Sequence, residues 1–260
     1  MASSVQDGSK ELLLETVHAL SSAGVSEYVV IGGWCPFLRN RTPVMHPGTL
    51  DVDLLFRQGD SAGALFKAID ALRMYGFTAS AKHSFQLLLY KTVGSEKLIY
   101  NIDLLHPQMC EDSMGMFVDH LELDVPIDDH ERTLKQVCSI VQPNSRVIFD
   151  QNLFSNYTLQ DTSFPLVDFT GMFLTKMDSC QKQKRERDSF DIVIAFENSG
   201  IDFEKLKRLR DSNERIQKSL DKFRTYLGDH GEMFDANVAQ YHQFSYSPAA
   251  KVRNDLESEL

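Results

Sequence analysis

Four cysteines and one tryptophan are all that 260 residues hold of these types. Cys35, Cys110, Cys138 and Cys180 are widely scattered, with no C-x-x-C pair and no histidine at metal-ligand spacing, which argues against a zinc site or a disulfide framework. Reduced, structural thiols are the expectation. Long apolar runs are missing too: no stretch approaches the roughly 20 residues that span a bilayer, and "MASSVQDGSKELLLE" lacks the basic start and apolar run of a signal peptide. A cytoplasmic protein with no membrane partner is expected. A basic excess is also lacking. With 27 Lys and Arg against 37 Asp and Glu the formal net charge is −10, which argues against a surface coated for nucleic acid but leaves room for a local patch. No internal repeat is present.

What is present is an ordinary globular composition, 42% apolar and 25% charged, long enough for one large domain or two small ones. Basic residues gather in "KQKRER" (182–187) and in the mixed-sign run from Glu204 to Arg224. The preferred reading of the second run is a single solvated helix laced with (i, i+4) pairs.

The coarse pattern alternates. "SKELLLETVHALSSAG" carries Leu12, Leu13, Val17 and Leu20 in a helical stripe, with Ser9 as N-cap and Gly24 as stop. "EYVVIGG" is a short strand running into two glycines, "WCPFLRNR" a short helix, "TPVMHPGT" a loop and "LDVDLLF" a second strand. A helix over "SAGALFKAIDALRMYG" follows, then "FTASA", and then "FQLLLYKTVGSEKLIYNIDLL" as a hairpin, which makes the sheet mixed. From about Pro107 to Pro165 the text is turn-rich, with "RVIFD" as a strand candidate; from Phe164 onward it is helical. The expectation is a mixed α/β domain over 8–165, a helical domain over 166–245 and a frayed tail over 246–260.

One strand raises a chemical question. In "GTLDVDLLF" alternate residues share a face, so Asp51 and Asp53 project together, about 6.5–7 Å apart, from an otherwise apolar strand. Two carboxylates there repel and lose hydration unless a cation joins them, and a hard divalent ion with oxygen ligands, Mg²⁺ or Mn²⁺, suits the crowding. Asp103, isolated in the apolar "LIYNIDLLH", is placed to reach the same edge and complete a metal set of Asp51, Asp53 and Asp103 for phosphoryl-type transfer. The plainer reading is three edge carboxylates facing water. Gly32 and Gly33 sharpen the first reading, because a glycine turn after a strand lets backbone N–H groups approach phosphate; alone it is only a tight turn.

"VVIGGW" followed by "HPGTLDVDLLF" resembles the nucleotidyltransferase superfamily signature, a glycine turn before a D-x-D strand with a third Asp on a later strand. "LTKMDSCQKQKRERDSFDIVIAF" is similar to the helical motif of AbiEii-type toxin nucleotidyltransferases, a Lys on one helix and R-D-x-x-D on the next. Trp34 departs toward small-molecule antibiotic nucleotidyltransferases, and Thr49 stands where the toxins often carry Ser. The resemblance implies an α+β fold, a mixed-sheet, polymerase-beta-like core followed by a helical C-terminal unit that completes the active site. It implies an NMP moved from an NTP to an acceptor hydroxyl, with Asp51, Asp53, Asp103 and Lys176 catalytic, and Gly32, Gly33, Trp34, Thr49, Lys176, Arg187, Asp188 and Asp191 binding the nucleotide. Its acceptor would be RNA, the tRNA 3′ end in particular, and its setting a toxin with a cognate antitoxin. A small-molecule acceptor and a catalytically silent relative that binds nucleotide or a partner are the alternatives.

On a helix Asp188 and Asp191 share a face, with Lys184 in reach of Asp188 and Arg187 of Asp191. Either they form a self-satisfied salt-bridged helix, or they orient Lys176 and Arg187 toward the triphosphate. His46 reads as a solvated loop residue or a phosphate contact.

Overall fold

The computed structural model describes residues 5–57, 61–80, 82–93, 96–107, 117–122 and 134–260. The chain forms two compact units, Met1–Trp34 with Gly48–Leu166, and Cys35–Pro47 with Val167–Leu260. The fold is α+β: a mixed sheet dominates the first unit and helices the second.

In the first unit, helix α1 (Val5–Ser22) buries the anticipated stripe of Leu12, Leu13, Val17 and Leu20. It ends as the sequence suggests. Gly24 has φ +67°, its N–H donates to Ser21 and that of Val25 to Leu20, the paired bonds of a Schellman stop. Its start differs: Ser9 is a buried residue inside the helix rather than an N-cap.

Strand β1 (Tyr28–Ile31) is buried along its whole length, as a β-branched central strand should be, and runs into the short helix α2 (Trp34–Arg39). Next come β2 (Asp51–Phe56), α3 (Ser61–Met74), β3 (Thr78–Ala79), β4 (Gln86–Val93) and β5 (Glu96–Pro107). Pairing of β4 with β5 reaches Val93↔Glu96; Gly94 and Ser95 of the expected turn lie outside the described residues. β6 (Phe117–Glu122) and β7 (Leu134–Cys138) form a separate ribbon, and β8 (Ile140–Gln142) adds in parallel to β5. "RVIFD" is not a strand but helix α4 (Arg146–Asp150), because Val147, Ile148 and Phe149 all reach the core from one helical turn. β9 (Phe154–Leu159) and β10 (Thr162–Val167) close the series, and the main sheet runs β3-β4-β5-β2-β1-β10-β9.

α1 and α3 pack on each other and on this sheet, and Lys91 of β4 reaches Glu11 and Glu15 of α1. That covers one sheet face. On the other face Asp51, Asp53 and Asp103 stay partly accessible, while Val29, Ile31, Leu55 and Leu105 beside them are buried.

The second unit contains α5 (Phe169–Lys176), α6 (Glu186–Glu197), α7 (Phe203–Ser212), α8 (Glu214–Asp229), α9 (Gly231–Ala239) and α10 (Pro248–Glu259). Its core is aromatic, with Phe173 meeting Phe196 and Phe223 edge to face, and Phe223 meeting Phe234 in the same way. Two expectations fail here. The charged run is two helices, because Asn213 turns extended and its side chain accepts from the N–H groups of Arg215 and Ile216, capping α8. The tail from 246 is not frayed: Ser247 caps α10, and Val252 and Leu256 are buried. Cys35 and Cys180 are buried free thiols, Cys138 is free and half-buried, and Cys110 lies outside the described residues. Among the described residues no helix is long and apolar enough to cross a membrane.

Candidate functional site

β2 and β5 run parallel with Asp53 opposite Asp103 and Asp51 opposite Asn101. Partners in a ladder point to the same face at a strand spacing of about 4.8 Å, so two carboxylates stand side by side and the third is one step along. Register is what brings residues fifty positions apart together, and it is set by the apolar alternates: Val52, Ile102, Leu54 and Leu104 are wholly buried on the covered face.

Gly32 has φ +72°, and a Cβ built on it would stand 1.9 Å from Asp53 Oδ2. Only glycine lets the backbone turn there and leaves room for that carboxylate. Gly33 is buried beside it. Thr49 Oγ1 donates to Asp51 Oδ1 at 2.5 Å, and Asn101 Nδ2 to Asp103 Oδ1 at 3.0 Å. Burial raises the Asp103 carboxyl above its ordinary value of 3.8 and the nearby Asp51 charge adds to this, while hydrogen bonds from Gln86 and Asn101 work the other way. Trp34 is wholly buried, and its indole N–H donates to the Asp51 backbone oxygen at 2.7 Å. Its ring is a core prop for the start of β2 and presents no face to a nucleotide, which corrects the binding role expected of it.

Among the described residues no three His, Cys, Asp or Glu side chains are grouped as ligands of one ion. The three carboxylates stand as an adjacent pair, Asp53 and Asp103, with Asp51 next along the strand. That arrangement still fits Mg²⁺, which is usually held by one or two carboxylates together with substrate phosphates and water.

The second unit gathers the other predicted residues. Asp188 and Asp191, one helical turn apart on α6, both meet Lys176 at the end of α5. Lys176 Nζ lies 2.5 Å from Asp188 Oδ1 and 2.7 Å from Asp191 Oδ2. Ser179 donates to Asp188 Oδ2 at 2.7 Å. His46 Nε2 is 2.8 Å from Asp191 Oδ1, a contact that needs a proton on that nitrogen. Burial would raise the Asp191 carboxyl, but Lys176 and His46 outweigh it and hold it at about 2. Burial would likewise lower the Lys176 ammonium, and the two carboxylates raise it well above its ordinary range.

His46 is therefore no solvated loop residue: its side chain is 1% exposed and its ring stacks on Phe190. Sequence reasoning missed this partner, and Ser179 with it, since nothing local marks a loop histidine as buried against a helix 145 residues away. The expected Lys184–Asp188 pair is not formed by the helix, because α6 begins at Glu186 and Lys184 precedes it with φ +63°. Arg187 is half-buried and acts on Asp191 through its charge.

No protein-family model and no curated protein matches this chain. Among solved structures it is similar to an antigenic nucleotidyltransferase-like protein from Paracoccidioides brasiliensis, with 13% identity, a TM-score of 0.41, and coverage of 92% of this chain and 95% of that one. A likeness this distant transfers no residue role, so function is argued from the side chains.

Proposed function

We propose that the chain is a nucleotidyltransferase that moves a nucleoside monophosphate from an NTP to an acceptor hydroxyl. The observation that supports this most is the Asp53↔Asp103 register beside Asp51, with Gly32 backed against Asp53. The acceptor oxygen forms the new bond to the α-phosphorus, the bond to pyrophosphate breaks, and the hydroxyl proton leaves to a carboxylate. Asp103 is the best candidate for that proton, its basicity being raised by burial and by Asp51. Asp51 and Asp53, with Asp103, would hold Mg²⁺ or Mn²⁺, which when bound neutralises phosphate charge and lowers the barrier to in-line displacement. The turn at Gly32 and Gly33 offers backbone N–H groups to the phosphates.

An RNA acceptor, a toxin role and an antitoxin partner rest on sequence resemblance alone. So did the antibiotic-type alternative, and the residue behind it, Trp34, is accounted for by core packing. Lys176 fits a structural tie better than a phosphate contact, since its charge is already met by two buried carboxylates. Incubation with each labelled NTP, Mg²⁺ and total RNA, followed by separation of RNA, protein and small-molecule fractions, tests the reading. Label should enter one fraction with release of pyrophosphate. No transfer from any NTP to any fraction would reject it.

A further inference from the structure

Away from the carboxylates, at the other end of β1 and β2, the first unit holds a cavity of about 360 Å³, within the range of small-molecule sites. Register places it. Tyr28 pairs with Phe56 and Ile31 with Asp53, so Tyr28 and Arg57, which line the cavity, stand three or more residues, ~10 Å, along the strands from Asp53. Its walls are aromatic: Phe149 and Phe154 meet edge to face with ring centres 6.2 Å apart.

Two donors of this cavity lack acceptors. Tyr28 is 4% exposed, yet its hydroxyl has no hydrogen-bond partner among the described residues, and burial with nothing to offset it pushes that group up to about 12. At neutral pH it is an O–H left without an acceptor, and its oxygen is not sealed from the cavity that the residue lines. Arg57 is the second. Its guanidinium lies 4.8 Å over the Phe149 ring and its backbone N–H donates to the Glu27 carbonyl, so the group is held from two sides. Glu27 Oε2 meets only Nε, at 3.3 Å, in a half-exposed ion pair of the kind that contributes little. Both terminal nitrogens of the fork are without a partner among the described residues.

We propose that this cavity binds a small aromatic carboxylate, with its ring on the Phe149–Phe154 wall, its carboxylate on the terminal nitrogens of Arg57 and the Tyr28 hydroxyl donating to it. A carboxylate matches the guanidinium fork in plane and spacing, and it accepts from a hydroxyl as well. A flat ring suits aromatic walls better than an aliphatic chain does. Phosphate is disfavoured, because it would bring a second negative charge beside Glu27 where Arg57 is the only cation among the described lining residues. An organic cation would pair with Glu27, but it would meet the Arg57 charge and leave the Tyr28 O–H without an acceptor. Such a site stands whether or not the chain transfers nucleotides.

The test is calorimetric titration of the whole chain at neutral pH with phenylacetate, beside hexanoate, inorganic phosphate and benzylamine. Phenylacetate should bind in the low-millimolar range or tighter, as about ten non-hydrogen atoms allow, and the other three should bind more weakly. Tyr28→Phe, which removes one oxygen, should weaken phenylacetate about fivefold, and Arg57→Lys, which keeps the charge but loses the fork, about tenfold. Glu27→Gln should tighten it, because a competing anion is gone, and a gain of affinity cannot come from a folding defect. Asp53→Asn should leave it unchanged, and melting temperatures confirm that each variant is folded. No binding of phenylacetate up to about 20 mM would overturn the site. So would an affinity indifferent to both Tyr28→Phe and Arg57→Lys, tighter binding of benzylamine or phosphate than of phenylacetate, or loss of phenylacetate binding in Asp53→Asn.

Discussion

Two groups of aspartates in this chain meet opposite surroundings. Asp51, Asp53 and Asp103 stand half-accessible on a sheet face, and the donors that reach Asp51 and Asp103 include a hydroxyl and two amides, all neutral. Asp188 and Asp191 are buried against a lysine, with Ser179 and His46 completing the set. The first group stands partly open to solvent; the second spends its charge inside the fold. Buried charges tolerate removal of neither partner, whereas exposed like charges gain by dilution. Residue type alone therefore says nothing about role, and the contrast can be broken by substitution.

The largest expected effect is on chemistry. Asp53→Asn should lower transfer by at least about a hundredfold, the scale on which single charge-stabilising groups matter, while the melting temperature holds or rises as repulsion with Asp51 and Asp103 falls. Single-turnover transfer and calorimetry on one sample decide it. Near-normal turnover would remove the carboxylate face from the mechanism.

Lys176→Ala should show the opposite signature. It leaves Asp188 and Asp191 buried without their cation, a loss of about 3–5 kcal/mol, large against the 5–15 kcal/mol of a typical domain. Urea denaturation measures it. If the folded variant is as stable as the parent but no longer binds NTP, Lys176 belongs to the nucleotide site and the contrast between the groups fails.

Gly32→Ala joins the two measurements. A left-handed backbone costs a non-glycine residue about 1–2 kcal/mol, and the new Cβ would displace the Asp53 carboxylate from its place. Stability and transfer should therefore fall together. Loss of stability with transfer intact would mean that Asp53 need not sit where it does.

Sequence alternation sufficed to put Asp51 and Asp53 on one face, and the single carboxylate in "LIYNIDLLH" sufficed to nominate Asp103, because each depends on period-two geometry within one strand. Register across strands has no local code, so the Asp53↔Asp103 pairing had to come from the sheet. "RVIFD" failed for a related reason: five residues rich in β-branched and aromatic side chains suit a strand or a buried helical turn equally, and tertiary burial chose the helix. Trp34 and His46 were misjudged in opposite directions. A tryptophan after a glycine turn looked like a ligand contact and is core; a histidine between prolines looked solvated and is buried against Asp191. In both cases the deciding partner is distant in sequence.

The smallest expected effect is the most discriminating, because the two groups should respond to acid with opposite signs. Asp191 has a folded value of about 2 against an ordinary 3.8, so its contribution to stability is present above pH ~4 and is lost as pH falls toward 2. Asp103 is raised in the folded state, so its ionisation costs stability at neutral pH, and that cost is relieved as pH falls through its folded value, above 3.8. Asp191→Asn should therefore melt below the parent at neutral pH, with the gap narrowing toward pH 2. Asp103→Asn should melt at or above the parent at neutral pH, with the gap closing in mild acid. Melting curves of the three chains between pH 7 and pH 2 test both signs at once. An Asp103→Asn chain less stable than the parent at neutral pH would mean that this carboxylate, like Asp191, is held as a stabilised anion, and the division between an available and an internal acidic group would have to be given up.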